Sequence, residues 1–251
     1  MQPLQQGNIR LAASIVLVRA GADGPEVFMM QRPGGVDFPD LHVFPGGKVD
    51  AGDFVPELLQ GLDAATADRL LGVAAGGLRY WAAAIRECFE ECGVLLAYRN
   101  GALLRWGDAD EVARFNGYRQ RLIDGELSML DVCRLEGLEL AADRVFYFSH
   151  WLTPEQAPRR FDTRFFIAAM PDDQETIAHQ WEIADDEWVR PRDALAAWEA
   201  GRWQMISPTL TTLRCIAGFP DVNTMLEAVT RETHLDELTD ELRFQGMHPL
   251  R

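Results

Sequence analysis

Nine consecutive residues, Arg86-Glu87-Cys88-Phe89-Glu90-Glu91-Cys92-Gly93-Val94, constrain this chain more than any other stretch. At 100° per residue, Ala84, Ile85, Cys88, Phe89 and Cys92 share one face of a helix, and that face is apolar. Glu87, Glu90 and Glu91 fall on the other face at i, i+3 and i+4, where side chains are neighbours. Three carboxylates on about a third of a helix repel one another unless positive charge sits among them. Arg86 supplies one such charge, reaching Glu90 at i+4, and a hard divalent cation taking oxygen ligands would supply more. A fold that accepts this helix must bury its apolar face and hold its acidic face where a cation can reach. Acidic helix faces are common solvated surfaces, so its meaning depends on what lies upstream.

Upstream is Phe44-Pro45-Gly46-Gly47-Lys48-Val49-Asp50, a Gly-Gly turn that lets backbone approach a ligand closely. Before it, residues 9–19 and 26–32 read as two strands joined by Gly21 to Pro25, a hairpin, and a Gly/Pro-rich loop runs from Pro33 to Gly47. Further along, the patterning predicts a short helix over Ala64–Leu71 ended by Gly72, and a strong helix over 81–97. A less regular helical stretch over 107–135 has Arg114, Arg119 and Arg121 on a solvated face. Strands return at Arg144–Trp151 and Phe161–Met170, followed by an acidic solvated loop over 172–187 and a short strand at Trp188–Arg190. Pro191 opens a helix to about Ala200, Ser207 caps another before Pro208, and 221–251 is a charged, peripheral helical tail. Strands and helices interleave without a linker, so residues 1–251 read as one α/β domain.

Charge and cysteine usage remove several functions. The chain carries 24 Lys and Arg against 39 Asp and Glu, a net charge of −15. It lacks the basic footprint that nucleic acid or an anionic membrane requires, so neither is expected as a partner. A small anionic substrate stays open, because carboxylates can hold a cation that carries phosphates. Cys88, Cys92, Cys133 and Cys215 form no CxxC and no disulfide framework, and the first two read as core. With no apolar run long enough to span a bilayer, a cytoplasmic location is expected. The five histidines show no ligand spacing, and no phosphate loop or Ser-His-Asp arrangement is present.

Taken together, the Gly-Gly turn and the acidic helix resemble the Nudix box, G-x5-E-x7-R-E-U-x-E-E-x-G-U, where U is bulky and apolar. Gly47 begins it and Arg86 to Val94 complete it. Asp53 stands where the box has its first glutamate, and residues 54–85 stand where the family has seven, so 25 residues are inserted. A long insertion here is similar to the interrupted-box subfamily that includes mammalian coenzyme A diphosphatases. Trp151-Leu152-Thr153-Pro154, Arg160-Phe161-Asp162-Thr163-Arg164-Phe165-Phe166 and Ile206-Ser207-Pro208-Thr209 carry the same resemblance. It implies a Nudix-type α/β/α sandwich with a mixed sheet, the insertion (about 54–80) as a helical surface excursion, and a helical C-terminal extension over about 207–251. It also implies a diphosphate hydrolase using Mg²⁺ or Mn²⁺. Glu87, Glu90 and Glu91 would bind the metal, with the Gly47 carbonyl and Asp53 as further ligands, and Arg86 would orient the carboxylates. A box glutamate or Glu182 would be the general base, and Arg32, Arg160 and Arg164 would contact phosphates. Coenzyme A or an acyl derivative is the first substrate expected, although the coenzyme A-associated pattern has a second arginine and Pro33 to Phe44 contains no Arg or Lys. ADP-ribose, another nucleotide sugar, and a non-catalytic nucleotide sensor are the alternatives, and a homodimer is left open.

Overall fold

The computed structural model describes residues 5–6, 9–32, 40–157, 159–177 and 185–231. β1 (Gln5–Gln6) precedes the hairpin of β2 (Ile9–Gly21) and β3 (Gly24–Gln31), and β4 (His42–Val43) and β5 (Gly46–Lys48) follow. The segment inserted in the box holds β6 (Leu59–Gln60) and α1 (Ala64–Leu71), and α2 (Leu78–Cys92) is the acidic helix. Next come β7 (Ala97–Arg99), β8 (Ala102–Leu103), α3 (Ala109–Ile123), α4 (Met129–Glu136) and β9 (Leu138–Ala141). The chain continues through β10 (Phe146–Leu152), β11 (Arg160–Ala169), β12 (Asp185–Val189), α5 (Pro191–Glu199), α6 (Ser207–Ile216) and α7 (Val222–Thr230).

The larger sheet runs β10-β11-β2-β3-β12, with β1 and β5 also on β2 and β4 on β3. It is mixed: β11 runs parallel to β2 from Arg160 beside Ile9 to Ala169 beside Val18, and the other pairings are antiparallel. Alternation along β2 sends Leu11, Ala13, Ile15 and Leu17 to one face, where they pack with Ile85, Cys88, Phe89 and Cys92 of α2. Val16 and Val18 face the other way with Val27 and Met29, under Ala194 of α5, Leu213 of α6 and Met225 of α7. Helices thus cover both faces of the sheet, the α/β/α arrangement. A smaller sheet, β6-β9-β7-β8, adds Ala97, Leu138 and Leu140 to the core around α2.

Several local readings are corrected, among them the loop over 172–187, whose last residues from Asp185 belong to β12. The insertion is no surface excursion: Val55, Leu59, Ala67, Leu71 and Leu78 are all buried in the core that holds α2, and β6 pairs with β9. Ser207 is the first helical residue of α6 and Ile206, with extended backbone, is its cap. α2 starts at Leu78 and stops at Gly93, whose φ of 74° ends the helix before Val94 leads toward β7. The four cysteines are free and buried, with Cys88 and Cys92 sulfurs 3.7 Å apart in the core. No helix among the described residues is long and apolar enough to cross a membrane.

Candidate active site

The Gly-Gly turn is fixed against β2 before the acidic helix arrives. Pro45 O accepts from Ile15 N at 2.8 Å and Ser14 Oγ at 3.0 Å, and Gly46, Gly47 and Lys48 pair with Ser14, Ala13 and Ala12. Both glycines are required by close approach. A Cβ on Gly46 would strike Ala13 O and Ser14, and one on Gly47 would collide with the Glu87 carboxylate. Gly46 N instead donates to Glu91 Oε2 at 2.6 Å, tying the turn to the helix.

Arg86, 3% exposed, is the hub of the carboxylates. Its Nε donates to Asp53 Oδ1 at 2.8 Å, while Nη2 donates to Asp53 Oδ2 at 3.0 Å and Lys48 O at 2.8 Å. Nη1 donates to Glu87 Oε1 and Glu90 Oε2, both at 2.9 Å. A guanidinium has five N–H donors, and here each meets an acceptor. The Asp53 pair is bidentate, the geometry that fixes an arginine best. Asp53 Oδ2 also accepts from Asp50 N at 2.7 Å. With both oxygens engaged and 1% exposure, Asp53 anchors Arg86 and does not open toward a ligand.

Negative charge exceeds positive around this hub. Burial, then the neighbouring charges of Glu87 and Asp53, push the Glu90 carboxyl up to about 8, against the opposing pull of Arg86. Burial works against the Arg86 cation, but Glu87, Asp53 and Glu90 overcome it and hold its proton more firmly than usual. Among the described residues no three His, Cys, Asp or Glu side chains form a ready-made metal cage, and Arg86 Nη1 bridges Glu87 and Glu90. The donor set nevertheless fits a hard divalent cation. It is all oxygen, and its carboxylates outnumber the one cation, Arg86, that they share.

The end of α2 is held by a residue read from sequence as solvated. Arg119 of α3 donates through Nε to Glu90 O at 2.9 Å and through Nη2 to Glu91 O at 2.8 Å, and is 5% exposed. Arg114 and Arg121 do lie near the surface. The available signal was spacing: Phe115, Arg119 and Leu122 form an i, i+4, i+7 stripe, and an arginine inside an apolar stripe is a buried one.

The remaining expected residues divide. Alternation along β3 puts Phe28 and Met30 on the α2 face, Arg32 continues that series, and its buried Nε has no hydrogen-bond partner. Arg164 lies level with Ala13 and, through it, with Gly47 on the sheet. It is 4% exposed, 3.2 Å from Asp162 Oδ1 and under the Tyr80 ring, and burial weakens its hold on its proton. Asp162 is also 2.7 Å from His150 Nε2, and Arg164 Nε and Nη1 are buried without hydrogen-bond partners. Arg160 donates through Nε to Thr153 O at 3.1 Å. Gly47, Asp53, Arg86, Glu87, Glu90 and Glu91 are therefore gathered at one place, whereas Arg160 and Arg164 belong to a neighbouring strand. Glu182 lies outside the described residues.

Comparisons with known proteins agree with this architecture. A family model described as the NUDT19 Nudix domain matches residues 67–216, more than half of the chain. The acyl-coenzyme A diphosphatase NUDT19 of Gallus gallus is 27% identical over 260 residues, covering 84% of this chain and 69% of that one. The putative nudix hydrolase 7 of Caenorhabditis elegans is 26% identical, covering 84% of this chain and 62% of that one. Both relatives are thus longer, and the chain spans about two thirds of their length. The crystal structure of a NUDIX hydrolase from Alicyclobacillus acidocaldarius superposes with a TM-score of 0.68 at 25% identity, over 88% of this chain and 96% of that one. With the box split by a folded insertion and its two halves rejoined through Asp53 and Arg86, the chain belongs to the NUDT19 Nudix domain family of Nudix hydrolases.

Proposed function

We propose that the protein is a divalent-metal-dependent hydrolase that breaks a diphosphate linkage in a nucleoside diphosphate derivative, with coenzyme A or an acyl-coenzyme A as substrate. The gathering of Asp53, Glu87 and Glu90 around the single guanidinium of Arg86, with Glu91 tied to the Gly-Gly turn, is the observation that carries this reading. Two relatives, from Gallus gallus and Xenopus laevis, are named acyl-coenzyme A diphosphatases, and they support the choice of substrate. Glu87, Glu90 and Glu91 would hold Mg²⁺ or Mn²⁺, with the Gly47 carbonyl beside them. When bound, such an ion neutralises diphosphate charge and acidifies a coordinated water.

The chain's own groups supply the rest. Arg86 keeps the carboxylates turned toward one point while Asp53 keeps Arg86 in place. Gly46 N fixes one oxygen of Glu91. Glu90, the one box glutamate that is not fully buried, would serve in its ionised form either as a metal ligand or as the base that takes a proton from the attacking water. Glu182 is the second candidate for that base. Arg32, with its unbonded Nε on the α2 face, is the first candidate for a charge-assisted contact to phosphate oxygens. Arg164, whose buried Nε and Nη1 also lack hydrogen-bond partners, is the second candidate, from the neighbouring strand, and Arg160, whose Nε is bonded to Thr153 O, comes after it.

The test is a screen with Mg²⁺ and Mn²⁺ of coenzyme A, acyl-coenzyme A, ADP-ribose, NADH and dinucleoside polyphosphates, with products identified by mass. Glu90→Gln and Glu91→Gln should each lower turnover by roughly 10²-fold or more while the circular dichroism spectrum stays unchanged. Full activity in exhaustive chelator would sink the metal reading. Cleavage of ADP-ribose without cleavage of coenzyme A would replace the substrate, and binding without any product would make the protein a sensor.

A further inference from the structure

We infer that Arg119, which lies outside the box on a different helix, is a positioning residue for the metal-binding pair Glu90 and Glu91; the inference rests on the metal reading above. Helix ends leave carbonyls without intrahelical donors. At the end of α2 every one of the last four is assigned. Phe89 O accepts from Gly93 N at 3.0 Å and Cys92 O from Ile177 N at 2.9 Å. Between them, Glu90 O and Glu91 O are both taken by the one guanidinium of Arg119.

A helix end does not need an arginine, since loop N–H groups and water serve as well. Burying a guanidinium is costly unless its donors are satisfied, and here the donors go to the two residues whose side chains the site uses. Because Nε and Nη2 belong to one rigid plane, they fix two consecutive peptide units relative to each other. From those units the Glu90 carboxylate reaches Arg86 Nη1 and the Glu91 carboxylate reaches Gly46 N. The cation also opposes the negative end of the helix dipole. Gly93 keeps the space open, since a Cβ there would stand 3.2 Å from Arg119 Nη1.

The experiment is direct Mn²⁺ binding to chelator-stripped protein without substrate, read as loss of the free-ion electron paramagnetic resonance signal, with Tm recorded on the same samples. Arg119→Met should weaken Mn²⁺ binding by about 10- to 100-fold, the usual effect of removing a group that orients a metal ligand. Arg119→Lys keeps the charge but cannot span both carbonyls, so its affinity should fall between the two. Val229→Ala, on the opposite face of the sheet, should lower Tm and leave Mn²⁺ affinity within about twofold of wild type. Folded Arg119→Met that binds Mn²⁺ like wild type overturns the inference, as does Val229→Ala weakening binding as much as the arginine variants do. If Arg119→Met does not fold, Arg119→Lys decides by the same criterion. Wild-type protein that binds no Mn²⁺ overturns the metal reading and this inference with it. Tight wild-type binding with unaffected Arg119 variants overturns the inference alone.

Discussion

In metal-free protein Glu90 retains its proton to about 8, whereas an ordinary glutamate releases it near 4.5. Between those values the folded chain holds a proton that the unfolded chain has lost, so stability must fall as pH rises. The contribution is complete below 4.5 and gone once pH passes about 8. Thermal melts in chelator should therefore show Tm dropping across that window, and Glu90→Gln should flatten the drop. A wild-type Tm that rises through it would mean that burial and the neighbouring carboxylates do not hold that proton. Glu87, Glu90 and Glu91 were legible as a group because helix geometry alone places them together. The part played by Asp53 was not legible. Its partner is 33 residues away, and no local rule says that an aspartate will meet that guanidinium. Arg119 was misread for a related reason: an arginine on an amphipathic helix looks solvated until the element covering it is known.

The inserted segment shows the same limit among elements. Asp63 capping α1 and Gly72 closing it with φ of 64° are local signals, and the helix stands where the sequence places it. Its burial is another matter. Ala67 and Leu71 line one side of an eight-residue helix, too short for periodicity to show which neighbour they meet. Leu71→Ala should lower unfolding free energy by about 2–5 kcal/mol, the usual loss for a buried leucine. Denaturant titration measures it, and an unchanged midpoint would return the segment to the surface. The acidic helix ends at Gly93, whereas its apolar pattern runs on through Val94, Leu95 and Leu96. Those residues are buried as they lead toward β7, and a continuous apolar run does not distinguish the two states.

For the molecule as a whole, a net charge of −15 makes the folded state repel itself. Pairs such as Arg99 with Glu111 and Glu136 relieve this locally but leave the total unchanged. Raising monovalent salt from about 10 to about 150 mM shortens the screening length from about 30 to about 8 Å. Tm should increase over that range, and a salt-independent Tm would mean that local pairing already cancels the repulsion. The α/β class was readable because both periodicities are strong, but the order of strands was not, since β2 and β11 meet across most of the chain. That pairing governs how the protein can be born. On the ribosome β2 emerges before β11, and its flank from Ile9 to Val18 then waits without a parallel partner until Ala169 has been made. In that interval the nascent chain exposes a long apolar strand edge, the kind of surface that recruits chaperones or neighbouring chains.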